Sequence, residues 1–184
     1  MQIIQTGLPD LLIIKPRIFE DNRGYFFESH NQNKFRDNGL HYTFVQDNES
    51  LSTRGIIRGL HYQLAPYAQA KLIRVIYGKV FDVAVDLREN SSTYGQWYGC
   101  ELSAENKEQL LVPRGFAHGF SVLSDQAIVF YKCDYFYHPE SERGINYKDP
   151  SLNIDWKIEP EKAIVSAKDK VLPDFKDADM NFSI

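Results

Sequence analysis

The chain is a succession of short apolar runs with a period of two, each closed by turn residues. The clearest lies over residues 71–87, KLIRVIYGKVFDVAVDL. Past Gly78, the residues Phe81, Val83, Val85 and Leu87 alternate with Val80, Asp82, Ala84 and Asp86. A strand there puts the first set on one face and both aspartates on the other. Tyr77-Gly78-Lys79, between two β-branched stretches, predicts a hairpin turn. Further strands are predicted over 11–19, 25–28, 44–48, 56–63, 96–102, 119–123 and 127–137, and Pro16 marks the first of them as an edge strand. Helical periodicity is thin. Residues 31–38 followed by Gly39 predict one short helix with a glycine C-cap, and Ser103-Ala104-Glu105-Asn106 a single capped turn. The tail from Glu159, with Pro160 and Pro173, reads as loop with one short helix packed on the body. No repeat or linker divides the chain, so one domain over 1–184 is expected. The class is all-β, a sandwich or barrel, because no helix-length pattern alternates with the strands as a parallel α/β fold requires.

Composition narrows the partners. Of the 184 residues, 43% are hydrophobic and 14% aromatic, which supplies a sizeable core. Aliphatic runs such as 11–14 are far too short to span a bilayer, so no membrane partner is expected. No basic segment leads into a long apolar stretch at the N-terminus, and Cys100 and Cys133 lack C-x-x-C spacing; both point to a reducing, cytoplasmic compartment. A formal net charge of −4 opposes sequence-independent nucleic-acid binding, whereas a small anion needs only a few local cations.

Two histidines stand in unusual company. His61 lies in RGIIRGLHYQ (54–63) and His118 in PRGFAHGF (113–120). The second stretch has the P-x-G-x-x-H spacing of cupin barrels, which are double-stranded jelly rolls. Metal-binding cupins offer H-x-H, then a Glu, then the second-motif His. Here Gln63 replaces the second imidazole, and Tyr67, Ala68 and Gln69 stand where the Glu belongs. Two imidazoles fall short of the three or four ligands of a tight iron or zinc site, so no metal is expected. Two readings of His61 stay open from the residues alone. One is a packed core histidine. The other is a pocket in which His61, Arg58 and Lys71 gather around an anion or around charge that develops in a reaction. Tyr131, one of 11 tyrosines, has no more weight by itself than Tyr77 or Tyr135.

From about residue 3 to about residue 172 the sequence resembles the dTDP-4-dehydrorhamnose 3,5-epimerase family. The stretches that carry the likeness are DNRGYFFE (21–28), FVQDN (44–48), RGLHYQ (58–63), QAKL (69–72), VFDVAVDLR (80–88), PRGFAHGF (113–120), YKCDYFY (131–137), ERGINYKDP (142–150) and SAKD (166–169). Each is weak alone; their order and spacing together are specific. Ala70 stands where many members have Gly.

The resemblance implies a cupin-type double-stranded β-helix jelly roll with a few short peripheral helices. It implies a cofactor-free, metal-free isomerase acting on a dTDP-linked 4-keto-6-deoxyhexose. The C4 ketone acidifies the hydrogens on C3 and C5, a base takes one from one face, and an acid returns a proton to the other. Carried over residue by residue, His61 resembles the base and Asp169 the carboxylate that orients it, with Asp82 a second, more structural carboxylate facing the pocket. Lys71 resembles the cation that stabilises the enolate. Tyr131 resembles the acid, its pKa lowered by the nearby lysine. Arg23, Arg58 and Lys168 match positions that bind the diphosphate or nucleotide. Glu28, Gln46, Asp47 and Asn48 match positions near the nucleoside and sugar, His118 one that hydrogen-bonds the sugar or supports the loop, and Tyr137 and Glu142 the pocket wall. Arg54 and Arg114 read as surface or structural residues. The family is dimeric with exchanged strands, so a homodimer is implied in which the N-terminal strands join the partner's sheet and Arg23 and Glu28 complete its site. Three alternatives stand beside the 3,5-epimerase. They are a 3-only epimerase of a dTDP-4-keto-6-deoxy sugar, a metal-dependent cupin enzyme, and a non-catalytic sugar-nucleotide binding module.

Overall fold

The computed structural model describes residues 1–183. Fourteen strands follow in chain order: β1 (Gln2–Gln5), β2 (Leu12–Lys15), β3 (Phe19–Asp21), β4 (Gly24–Phe26), β5 (Gln46–Thr53), β6 (Ile56–Gln63), β7 (Lys71–Tyr77), β8 (Lys79–Asp86), β9 (Trp97–Ser103), β10 (Gln109–Val112), β11 (Phe116–Val122), β12 (Gln126–Cys133), β13 (Glu142–Gly144) and β14 (Ile164–Val165). One helix, α1 (Gln32–Asp37), lies between β4 and β5. Two sheets face each other. The first runs β1-β2-β10-β7-β12-β5 and the second β13-β6-β11-β8-β9, with β14 added parallel to β6. Their order, with consecutive strands repeatedly divided between sheets, makes a jelly roll. The short β3–β4 ribbon stands apart as its own sheet.

Burial comes in three layers, and strand alternation decides which residue joins which. Ile73, Val75, Val80, Ala84, Leu110, Phe120 and Val129 fill the space between the sheets. Leu12, Ile14, Leu72 and Leu111 point outward from the first sheet and are covered by Phe35 of α1 and Leu40. Ile57, Tyr62, Phe81, Val83, Val85 and Leu87 point outward from the second sheet and are covered by Leu152, Trp156, Val165 and Phe182 of the C-terminal segment. Strands covered on both faces read as continuous apolar runs, which accounts for 11–14 and for the almost wholly buried β8. The tail therefore closes a second core. It does so with a pair of β14 residues and 3-10 turns at Pro160–Lys162, Asp169–Val171 and Phe175–Asp177 rather than with one helix.

Two sequence expectations need correction. The turn at Gly78 does not close a hairpin, because β7 belongs to the first sheet and β8 to the second. Alternation reports burial and is silent about which strand is the neighbour. Gly78 instead turns the corner between sheets with φ +75°. The strand that ends before Pro16 is not an edge; β2 pairs with β1 on one side and β10 on the other, and Pro16 lies just past its last paired residue. β1 and β10, four residues each, are too short to raise a periodic signal. By contrast β6 spans 56–63 as predicted, α1 is capped by the Asn31 side chain and followed by Gly39 at φ +79°, and Ser103 and Asn106 cap one another's backbone across a single turn.

The corner at Gly78 supplies a test. A Cβ there would sit 2.0 Å from the Gln126 carbonyl oxygen and 2.4 Å from Ser124 Oγ, on a backbone that L residues rarely adopt. Gly78→Ala is expected to destabilise the fold by about 2 kcal/mol or more, seen as a fall of roughly 5 °C or more in Tm by thermal unfolding.

Candidate active site

A β-bulge builds the centre of the site. His118 of β11 pairs with His61 of β6, but Phe120, two residues on, pairs with Arg58, three residues back. The extra residue on β6 falls at Gly59–Leu60, so Ile57, Leu60 and Tyr62 share the outer core. Arg58 and His61, three apart, are thereby turned to the inner side together. Only glycine fits at 59: its φ is +119°, and a Cβ would lie 2.6 Å from Gly119 Cα.

The bulge leaves the Gly59 N–H without a ladder partner, and the C-terminal segment supplies one. Asp169 Oδ2 accepts from Gly59 N at 3.3 Å, while Oδ1 lies 2.7 Å from His61 Nε2. Ser166 Oγ in turn accepts from the Asp169 N–H. Asp169 is 3% exposed, and burial pushes its carboxyl up. The bonds from His61, Gly59 and Ser166 outweigh that and hold it below the ordinary carboxylate value. With Nε2 engaged, Nδ1 is the His61 nitrogen left to take a proton.

Strand alternation brings the remaining groups to the same pocket. Lys71 shares the inner face of β7 with Ile73 and Val75, and Tyr131 the inner face of β12 with Ala127 and Val129. Lys71 Nζ lies 5.9 Å from the Tyr131 ring centre. His61, Lys71, Tyr131, Gln46, Asn48, Tyr137 and Glu142 all line this pocket, as do Gln63 and Gln69. The Lys71 ammonium is pushed down by burial, against the pull of Cys133, Asp82 and Glu142. The Tyr131 phenol is pushed up, chiefly by burial and by Cys133. This reverses the expectation that the lysine lowers it; Arg58 is the cation that opposes the rise.

The other expected residues divide. Glu142 sits between two rim residues, accepting from Tyr137 Oη at 2.8 Å and from Lys168 Nζ. Burial raises its carboxyl, but those two bonds bring it below the usual range. Arg58 donates from Nε to Ser52 Oγ and keeps much of its guanidinium exposed. His118 is buried and paired through Nε2 with Asp82 Oδ1 at 2.9 Å, a neighbour of His61 in the sheet rather than a wall of the pocket. Asp82 is accordingly wholly buried behind the site. Asp47 faces away from the pocket, since alternation along β5 turns Gln46 and Asn48 inward and leaves Asp47 outside, ion-paired with Lys132. Arg23 and Glu28 lie on and just beyond the β3–β4 ribbon, bound to Asp21 and Lys34, and do not reach this chain's pocket. Arg54 and Arg114 pair with Asp125 and Asp134. Among the described residues no group of three or more His, Cys, Asp and Glu side chains is arranged to hold a metal ion. Among the described residues no helix is long and apolar enough to cross a membrane.

Three residues that line the pocket had no site role in the sequence reading: Tyr62, Gln63 and Gln69. Gln63 follows His61 by two along β6, and beside the pocket the buried Cys133, two residues after Tyr131, accepts from Asn48 Nδ2 through its sulfur at 3.6 Å.

A family model described as dTDP-4-dehydrorhamnose 3,5-epimerase matches residues 5–177. The chain belongs to this family. It is 53% identical over 180 residues to the dTDP-4-dehydrorhamnose 3,5-epimerase of Shigella flexneri, covering 97% of this chain and 98% of that one. The crystal structure of the epimerase from Elizabethkingia anophelis superposes with a TM-score of 0.93 at 56% identity, covering 96% of this chain and 97% of that one. A Legionella pneumophila epimerase, solved in complex with dTDP-4-keto-L-rhamnose, gives a TM-score of 0.92 at 49% identity, with coverage of 97% and 94%. The dTDP-4-dehydrorhamnose 3,5-epimerase fold thus extends over nearly the whole chain, C-terminal segment with Asp169 included.

The Asp169 bonds carry a pH signature. A folded carboxyl below its ordinary value of 3.8 adds stability in full above that value and loses it as pH falls through the lowered one. Asp169→Asn is therefore expected to lower Tm at neutral pH, and its gap from wild type to narrow as pH falls below the ordinary carboxylate value of 3.8 in thermal unfolding. A gap independent of pH would show that the carboxylate charge does not contribute.

Proposed function

We propose that the protein epimerises dTDP-4-dehydro-6-deoxy-D-glucose at C3 and C5, giving dTDP-4-dehydro-L-rhamnose. The observation that carries this reading is one pocket holding a carboxylate-bound imidazole, a half-buried lysine and a half-buried tyrosine. The chemistry balances without an added reagent. His61 takes the proton from a carbon beside the C4 ketone, and the C–H electron pair becomes the enolate, with charge on the C4 oxygen. Lys71 stabilises that oxygen. Tyr131 gives its proton to the opposite face of the carbon, and the tyrosinate and imidazolium reset by exchange with solvent. A second round inverts the other carbon.

Asp169 holds the imidazole with Nδ1 free, which supports its role as a positioning carboxylate. Arg58 and Lys168 are the cations at the pocket edge suited to a diphosphate, and Tyr137 and Glu142 form a wall for the nucleotide. Gln46 and Asn48, inward on β5, suit the sugar and nucleoside. The function belongs to a reducing, cytoplasmic compartment, in keeping with the two unpaired thiols Cys100 and Cys133.

The working unit in this reading is a homodimer. Phe19, Tyr25 and Phe26 of the β3–β4 ribbon are 50%, 59% and 66% exposed, an apolar surface suited to a second copy. Arg23 and Glu28 on or beside that ribbon then serve the partner's pocket.

Turnover in heavy water is expected to place deuterium at both C3 and C5 of the 4-keto sugar, read by NMR or mass spectrometry. Deuterium at C3 alone identifies a 3-only epimerase, and none at either carbon removes the proposal. His61→Ala and Tyr131→Phe are each expected to lower kcat by about 10²–10⁴-fold. For the dimer, a mixture of inactive Arg23→Ala and His61→Ala chains is expected to regain about a quarter of wild-type activity, the one intact shared site of each mixed pair. No recovery after exchange of subunits would place Arg23 in its own chain's site or nowhere near one.

A further inference from the structure

The loop that follows β12 is held by its main chain, and glutamine side chains hold it. Gln69 Nε2 donates to the Tyr135 carbonyl at 2.7 Å, and Gln63 Nε2 to the Phe136 carbonyl at 3.3 Å. The Tyr137 N–H donates to Gln46 Oε1 at 2.9 Å, and the His138 N–H to Gln63 Oε1 at 2.8 Å. Four consecutive residues thus have a main-chain group bound to a carboxamide, and the three glutamines come from separate places in the barrel: the start of β5, the end of β6 and the approach to β7. A carboxamide suits this task, since it offers donors and an acceptor without charge and so complements a peptide unit.

Two further facts give the clamp its meaning. The loop is poorly held by apolar burial, for Tyr135, Phe136 and Tyr137 are 36%, 62% and 51% exposed. Gln63, by contrast, is 4% exposed, and its second Nε2 hydrogen goes to the Tyr67 carbonyl at 2.6 Å. Both of its N–H groups and its carbonyl are therefore spent on main chain, and none of its donors is left for a ligand although it lines the pocket. Removing such a bond from a buried carboxamide leaves carbonyls and an N–H without partners. The position of Tyr137, whose hydroxyl then reaches Glu142, follows from where these bonds put its backbone.

We infer that Gln63 and Gln69 are positioning residues that fix Tyr137 at the pocket lip and so set affinity for the nucleotide half of the substrate. This rests on the reading of Tyr137 as part of the nucleotide wall. It gives Gln63 a task of its own, distinct from the metal-ligand position it occupies in other cupin barrels.

The test uses Gln63→Glu, which turns a second oxygen toward two carbonyls, and Gln69→Met, which removes one bond at a partly exposed site and keeps the fold if the first variant does not. Hydrogen exchange of the peptide covering 134–140, followed by mass spectrometry, is expected to accelerate in each folded variant. Affinity for dTDP by calorimetry and KM for the 4-keto sugar are expected to weaken about tenfold, the worth of one such bond, with kcat changed less than about twofold. In a Tyr137→Ala background the added effect of Gln69→Met on dTDP binding is expected to vanish. Exchange unchanged in Gln69→Met, or an equal loss of dTDP affinity with and without Tyr137, would overturn the inference. Unchanged dTDP binding by Tyr137→Ala alone would remove the wall reading and the affinity consequence with it, while the exchange result judges the clamp itself.

Discussion

The site depends on one irregularity, the extra residue at Gly59–Leu60 of β6. Strict alternation sends Arg58 and His61 to opposite faces of the sheet; the bulge sends both inward. A bulge of this kind leaves a backbone donor without a ladder partner and needs close approach of its neighbour. Asp169 answers the first need, accepting from Gly59 N with one oxygen while the other holds His61. Paired glycines answer the second. A Cβ at Gly119 would lie 2.7 Å from the Arg58 carbonyl, and one at Gly59 would lie 2.6 Å from Gly119 Cα. The two glycine–histidine stretches, around 59–61 and 118–119, are thus two halves of one contact between β6 and β11.

That contact explains why the C-terminal segment is packed so thoroughly. It must deliver a carboxylate to a fixed point 110 residues earlier in the chain. The segment has almost no regular structure to stiffen it. Its place comes from Leu152, Trp156, Val165 and Phe182 in the outer core of the second sheet, from β14 alongside β6, and from Trp156 Nε1 bound to the Tyr147 carbonyl. The second face of β8 and β6 is apolar for this reason. One layer of the protein seats the tail, and the tail brings Asp169 to the candidate site.

The sequence made the strands and their faces legible, and the partners of those strands much less so. Period two in 80–87 divides Val80 and Ala84 from Phe81, Val83 and Val85 as the two cores do. The same pattern cannot say that β7 and β8 lie in different sheets, because sheet order is decided by contacts far apart in the chain. Motif order named His61, Lys71 and Tyr131, which line one pocket, and Asp169, which is bonded to His61 Nε2. It was not enough for Asp47, taken with its neighbours Gln46 and Asn48 although a strand turns alternate residues away. For Arg23 and Glu28, which the resemblance assigns to a partner's site, the β3–β4 ribbon places both away from this chain's own pocket. Gln63 carried a signal that was read by what it lacks, an imidazole, rather than by what its amide provides.

The electrostatics of the pocket are set for charge that is absent at rest. Lys71 forms no ion pair among the described residues, although Asp82, Cys133 and Glu142 all act on it from a distance. Burial lowers its affinity for a proton, which leaves an ammonium with a hydrogen-bonding need that water no longer meets. In the proposed reaction an enolate oxygen formed beside it would meet that need far better than the neutral ketone. The interaction is therefore stronger in the transition state than in the bound substrate, which is the condition for raising kcat rather than only tightening binding. Tyr131 is shifted the other way. Its phenol, raised by burial, stays protonated throughout the neutral range, as the acid of the proposed reaction requires. The same burial thus shifts the two groups oppositely, the lysine toward losing its proton and the tyrosine toward keeping it.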